Sequence, residues 1–226
     1  MKSYVINLKV RQDRRDYMSN IMSHYGWDFE FFEAYHGRSL NIDDLIKRGI
    51  LDKSGTWMSL NTIGCSMSHL DIYDKLLASG DEACVVWEDD AVIYRSKRFF
   101  MKDFEMVPKD FSILLAGYLS ELGPHNRWKR DYSVNSVCYK LPTHGVPPIG
   151  AQCYVISRQG AERMLEIGRP IKWPADGLWE MPHKWMRKKP FNFYALKNLV
   201  SPTQAFEELG SDLNFERDKV RRGARS

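Results

Sequence analysis

Ala83-Cys84-Val85-Val86-Trp87-Glu88-Asp89-Asp90 is an apolar run that ends in three adjacent carboxylates. Its length and β-branched centre predict a buried strand, the building block of an α/β sheet. Open sheets of that class bind ligands at the carboxyl ends of their strands. Acids crowded at such an end repel one another unless a cation sits among them. Oxygen-only ligands select hard ions such as Mg2+ or Mn2+. The stretch therefore points to a divalent ion holding a phosphorylated ligand. By composition alone a run of three acids is expected about 0.5 times in such a chain, so its position directly after a strand carries the inference.

Upstream, Tyr4-Val5-Ile6-Asn7-Leu8 reads as a short buried strand. A helix follows, with an apolar stripe of Tyr17, Met18, Ile21, Met22 and Tyr25 and with Asp13 as the expected N-cap. Gly26 ends it, and Trp27–Ala34 is expected to be a second strand, which completes a strand–helix–strand unit. The segment from Arg38 to Leu60 is polar, with a short helix expected over Ile42–Arg48. Ile63, Met67, Leu70, Tyr73 and Leu77 recur at helical spacing up to Gly80. Downstream, strands are expected at Ser112–Ala116, Val137–Leu141, Gln152–Ser157 and Phe191–Ala195. Helices are expected at Arg158–Ile167 and around Asp176–Met186. Pro147-Pro148-Ile149-Gly150 reads as a turn, and Tyr118–Lys140 as a long binding loop.

With 226 residues, 43% hydrophobic and 27% charged, the chain suits one soluble α/β domain. A net charge of +4 and a pI near 8.8 fit an anionic ligand but fall short of a nucleic-acid binder. Much of the excess lies in Lys184, Arg187, Lys188, Lys189 and a basic tail, 216–226. That tail is either a solvated terminus or a patch for peripheral contact with acidic lipid headgroups. No apolar run approaches the roughly 20 residues needed to span a bilayer, and no signal-peptide core is present, so a cytoplasmic chain is expected. Cys65, Cys84, Cys138 and Cys153 show no C-x-x-C pairing and no nearby His at a zinc spacing. They read as free thiols.

Asn7, Arg11, Arg14 and Arg15 lie where a strand gives way to a helix, a place that attracts anions. Neither G-x-G-x-x-G nor G-x-x-x-x-G-K-[ST] follows, which disfavours a Rossmann dinucleotide site and a P-loop. His69, taken singly, reads as a packing residue.

Taken in order, several segments resemble glycosyltransferase family 25, which includes bacterial lipooligosaccharide galactosyltransferases and collagen galactosyltransferases. They are Tyr4–Leu8, Asp13-Arg14-Arg15, Phe31-Phe32-Glu33-Ala34, Ile63-Gly64-Cys65-Ser66-Met67-Ser68-His69 and Val86-Trp87-Glu88-Asp89-Asp90. Gly150–Ser157, Pro174-Ala175-Asp176 and Gln204 continue the match. The resemblance implies a GT-A-like single domain, a mixed, mostly parallel twisted sheet flanked by helices. It spans 1–215, with a nucleotide-binding half to about 117 and an acceptor-side half from 118. It also implies an inverting transferase that uses a UDP-sugar donor, galactose by default, and a saccharide or glycolipid acceptor.

In that reading Glu88-Asp89-Asp90 stands in for the family's Asp-x-Asp motif. Asp90 binds Mn2+ (or Mg2+), and Glu88 binds it directly or through water. Asp89 contacts the donor ribose, Arg14 holds the nucleotide end, and Asn7 and Gln204 line the donor pocket. Asp176 is the candidate base, with Glu180 and His183 as substitutes. Inverting transfer needs one base and charge neutralisation on the departing diphosphate, whereas a glycosidase needs two carboxylates flanking the bond. A metal-dependent phosphoesterase and a non-catalytic sugar-binding module are the rival readings.

Overall fold

The computed structural model describes residues 1–119, 132–141, 149–180, 191–205 and 209–210. The expected Tyr118–Lys140 loop lies mostly outside this set. So do His183, the basic residues 184–189, the Pro147-Pro148 pair and the tail 216–226.

The chain opens with β1 (Lys2–Asn7), α1 (Gln12–His24) and β2 (Glu30–Glu33), and β1 and β2 pair in parallel. Two short 3-10 turns and α2 (Ile42–Lys47) lead to α3 (Leu60–Ser79) and then β3 (Ala83–Glu88). β3 returns to the other side of β1, also in parallel. After it come β4 (Ala91–Val92), α4 (Lys97–Glu105), β5 (Ile113–Leu119), β6 (Cys138–Lys140), β7 (Ile149–Ser157) and α5 (Arg158–Gly168). β8 (Phe193–Leu196) and β9 (Thr203–Gln204) complete the described elements. The main sheet runs β2-β1-β3-β7-β5-β8-β6, and β4 pairs with β9 in a separate antiparallel ribbon. β7 and β6 run against their neighbours. The other five strands share one direction, so the sheet is mixed but mostly parallel.

Alternation along β3 explains the layering. Cys84 and Val86 face one core, with Ile63, Leu70 and Tyr73 of α3 and Met164 of α5. Val85 and Trp87 face the other, with Met18 and Met22 of α1 and Phe100 of α4. A strand buried on both faces has no polar side to show, which is why its sequence reads as continuously apolar. α3 starts at Ser59, whose side chain accepts from the Thr62 amide, and stops at Gly80 (φ 78°), a left-handed position that favours glycine.

Four local expectations are corrected. Asp13 is not the N-cap of α1. Arg11 occupies that position without a side-chain cap, and its guanidinium is held by Asp13 at 2.7 and 2.9 Å. Trp27 does not start a strand: its ring turns inward against Trp87 and Phe100, and pairing with β1 begins only at Glu30. Ile149 and Gly150 belong to β7, because Ile149 pairs with Leu119. Of the helix expected over Asp176–Met186, the described part is a single 3-10 turn, Gly177–Glu180. α4, which the sequence reading leaves unassigned, buries Phe100 completely.

Candidate functional site

The chain leaves β1 toward β2 on one side and returns as β3 on the other. The carboxyl ends of β1 and β3 therefore form a topological switch point, where such sheets take ligands. Parallel register sets Ile6 beside Glu88, so the next residues, Asn7 and Asp89, meet. Asn7 Nδ2 donates to Asp89 Oδ2 at 2.8 Å. Arg14, 5% exposed, donates to the other oxygen, Oδ1, at 2.5 Å and lies 3.5 Å from Asp90. Its second nitrogen donates to the Gly210 carbonyl at 2.5 Å, and Arg11 donates to that of Leu209 at 2.6 Å.

The β4–β9 ribbon pairs Ala91 with Gln204 and lays that side chain across the acids. Gln204 Nε2 donates to Glu88 at 2.7 Å and to Asp90 at 3.1 Å. An amide proton donor between two carboxylates partly offsets their repulsion without supplying charge. Glu88 is pushed up to about 8, first by burial, then by Asp176 and Asp89. Asp90 is pushed up to about 7 by burial and by Glu88, with Arg14 pulling the other way. The donor set therefore fits a hard divalent ion: two carboxyl groups whose ionised form burial and mutual repulsion disfavour, a penalty that a cation would relieve.

Asp176 stands at the head of the 3-10 turn, within electrostatic reach of Glu88, Cys65 and His69. All seven sequence-predicted site residues thus belong to one neighbourhood: Asn7, Arg14, Glu88, Asp89, Asp90, Asp176 and Gln204. Of the substitute bases, His183 lies outside the described residues, as does the side chain of Glu180. Trp57 (62% exposed) and Trp173 (40% exposed) meet at a ring separation of 6.1 Å. The Trp173 carbonyl accepts from Ser66 of α3 at 3.3 Å, which ties that pair to the same helix.

A grouping that the sequence reading missed lies against Glu88. Cys65 and His69 are one turn apart on α3, and with Glu88 they offer Sγ, ring nitrogen and carboxylate oxygen atoms all within 4.8 Å of one another. The expectation of no His at a metal-binding spacing from any cysteine is corrected here. The available signal was the i, i+4 spacing inside a helical stripe. Burial lowers His69 to about 4 and raises the Cys65 thiol well above its usual value.

The family model for glycosyltransferase family 25 (LPS biosynthesis protein) matches residues 1–179. A glycosyltransferase 25 family member of Aedes aegypti is 31% identical over 172 residues, covering 72% of this chain and 27% of that protein. Procollagen galactosyltransferase 2 of Mus musculus is 30% identical over 125 residues, covering 50% of this chain and 20% of that one. The chain thus spans between a fifth and just over a quarter of the length of these relatives. Among solved structures, a glycosyltransferase involved in the glycosylation of the major capsid of PBCV-1 aligns over 97% of both chains, with 8% identity and a TM-score of 0.47.

Proposed function

The chain belongs to glycosyltransferase family 25, and from that premise we propose that it is a metal-dependent, inverting transferase. It moves a sugar, galactose by the names of its relatives, from a nucleoside-diphosphate donor such as a UDP-sugar to a saccharide or glycolipid hydroxyl. The carrying observation is the convergence of Glu88, Asp89 and Asp90 at the β1/β3 switch point, with Arg14, Asn7 and Gln204 gathered on them. The strand order suits the GT-A-like arrangement that the family resemblance implies.

Glu88 and Asp90 are the residues that would hold Mn2+ or Mg2+, whose chemistry is to neutralise charge on the departing diphosphate. Arg14 adds fixed positive charge at the same end, and Asp89 with Asn7 keeps its guanidinium in place. With a donor bound at the switch point, Asp89 serves the ribose and Gln204 lines the donor site beside it. Asp176 takes the proton of the attacking hydroxyl as general base. Trp57 and Trp173 offer exposed ring faces on which an acceptor sugar can stack. The proposal places the chain in glycan or lipooligosaccharide biosynthesis, in the cytoplasm, with a peripheral membrane contact through its basic C-terminal region. Among the described residues no helix is long and apolar enough to cross a membrane.

The test is a screen of nucleoside-diphosphate sugars for release of the free nucleotide, with and without Mn2+, in the wild type and in Asp90→Ala. Mn2+-dependent release that Asp90→Ala loses supports the reading. Full release by the variant overturns the metal role, and no release from any donor overturns the transferase.

A further inference from the structure

The Cys65, His69 and Glu88 grouping has a chemistry of its own. A thiolate and an imidazole select borderline-soft ions such as Zn2+, not the hard ions that suit a pair of carboxylates. Three protein ligands with a fourth position left for water is a common zinc set. The ring of His69 is 1% exposed, and its Nε2 has no hydrogen-bond partner among the described residues. It faces Glu88 Oε1 at 3.7 Å, too far for a hydrogen bond.

The other ring nitrogen is already committed. His69 Nδ1 lies 2.7 Å from the Tyr154 hydroxyl, which lies 2.8 Å from that of Tyr73. If Nδ1 carries the proton and donates to Tyr154, and Tyr154 donates to Tyr73, then Nε2 presents a lone pair toward Cys65 and Glu88. Metal-bound histidines are ordinarily oriented by such an outer partner. Cys65 and Glu88 are each partly exposed, which leaves an ion a way in.

We propose that Cys65, His69 and Glu88 form a binding site for Zn2+ or a similarly thiophilic divalent ion. On binding, the Cys65 thiol loses its proton to solvent and a metal–sulfur bond forms, so uptake releases a proton and strengthens as pH rises. Glu88 is common to this site and to the hard-ion pair with Asp90. An ion held here would draw Glu88 away from that pair, a consequence that rests on the transferase reading above.

The experiment titrates the chelator-treated 226-residue chain with Co2+ as a spectroscopic stand-in for Zn2+, with no donor or acceptor present. The wild type should develop a sulfur-to-cobalt charge-transfer band that stoichiometric Zn2+ removes and Mn2+ does not. Cys65→Ser should lose the band and bind Zn2+ at least about a hundredfold more weakly, since loss of an outer-shell partner alone costs about 10–100-fold. Tyr154→Phe should keep the band and weaken binding within that lower range. No band in the wild type overturns the site without needing any variant. A band that persists in Cys65→Ser, through Cys84, Cys138 or Cys153, overturns it as well. A protein that shows the band yet releases nucleotide from no sugar donor keeps this site and loses the transferase reading. The reverse result loses only the zinc site.

Discussion

Arg14 and Asp89, 75 residues apart, form a buried ion pair at 2.5 Å, with side chains 6% and 9% exposed. Removing one partner of such a pair strands the other charge in a site built for two. Arg14→Met should therefore destabilise the fold by about 3–5 kcal/mol, read as a lower midpoint in urea unfolding. A loss below about 1 kcal/mol, the usual worth of a surface pair, would mean that the pair is solvated.

With no ion bound, the acids should make the fold less stable as pH rises. Glu88 and Asp90 are raised to about 8 and 7 in the fold, so the folded state holds protons that the unfolded chain has already lost. Their contribution is most favourable at low pH and is lost as pH rises toward 8. His69, lowered to about 4, works oppositely, since stability falls as pH drops below its unfolded value near 6.5. The clean window is therefore pH 6.5–8, where Tm in a chelating buffer should fall with rising pH. Asp90→Asn should flatten that slope and raise Tm at pH 8 by about 2–4 °C, the shift that 1 kcal/mol produces in a chain of this size.

Trp57 is largely exposed, so Trp57→Ala should change stability by no more than about 0.5 kcal/mol. If its face carries the acceptor sugar, the acceptor KM should rise about tenfold while the donor KM stays put. Equal loss in both would assign the ring to another task.

Gly160, near the start of α5, sits so close to β5 that an added Cβ would lie 2.1 Å from the Ser112 carbonyl oxygen. Backbone cannot swing aside as a side chain does. Gly160→Ala should cost about 1–3 kcal/mol as overpacking, measured by thermal unfolding, despite the better helix propensity of alanine.

The elements that position the site were legible because each carries its own period or punctuation. β3 is an unbroken apolar run, α3 keeps a helical stripe between Ser59 and Gly80, and α5 starts at Ser157, whose side chain accepts from the Gly160 amide. Less legible was whatever depends on a distant partner. Trp27 looks strand-like in sequence, yet its place is set by Trp87 and Phe100. The i, i+4 spacing of Cys65 and His69 offers that pair, but the place of Glu88 beside it joins a helix to the end of a strand and follows only from packing. Asn7 and Arg14 could be placed from sequence at the end of β1 and in the helix after it, but their bonds to Asp89 follow only from the parallel register of β1 and β3.

The two-residue ribbon of β4 and β9 brings a late part of the chain onto the acids. The match to the family model stops at residue 179, yet the amide bridging Glu88 and Asp90 belongs to Gln204. A gene shortened to the matched stretch would encode the acids without the strap that spaces them. Such a fragment would also lack β8, whose four buried residues lie between β5 and β6, so it would expose a sheet edge that the whole chain covers.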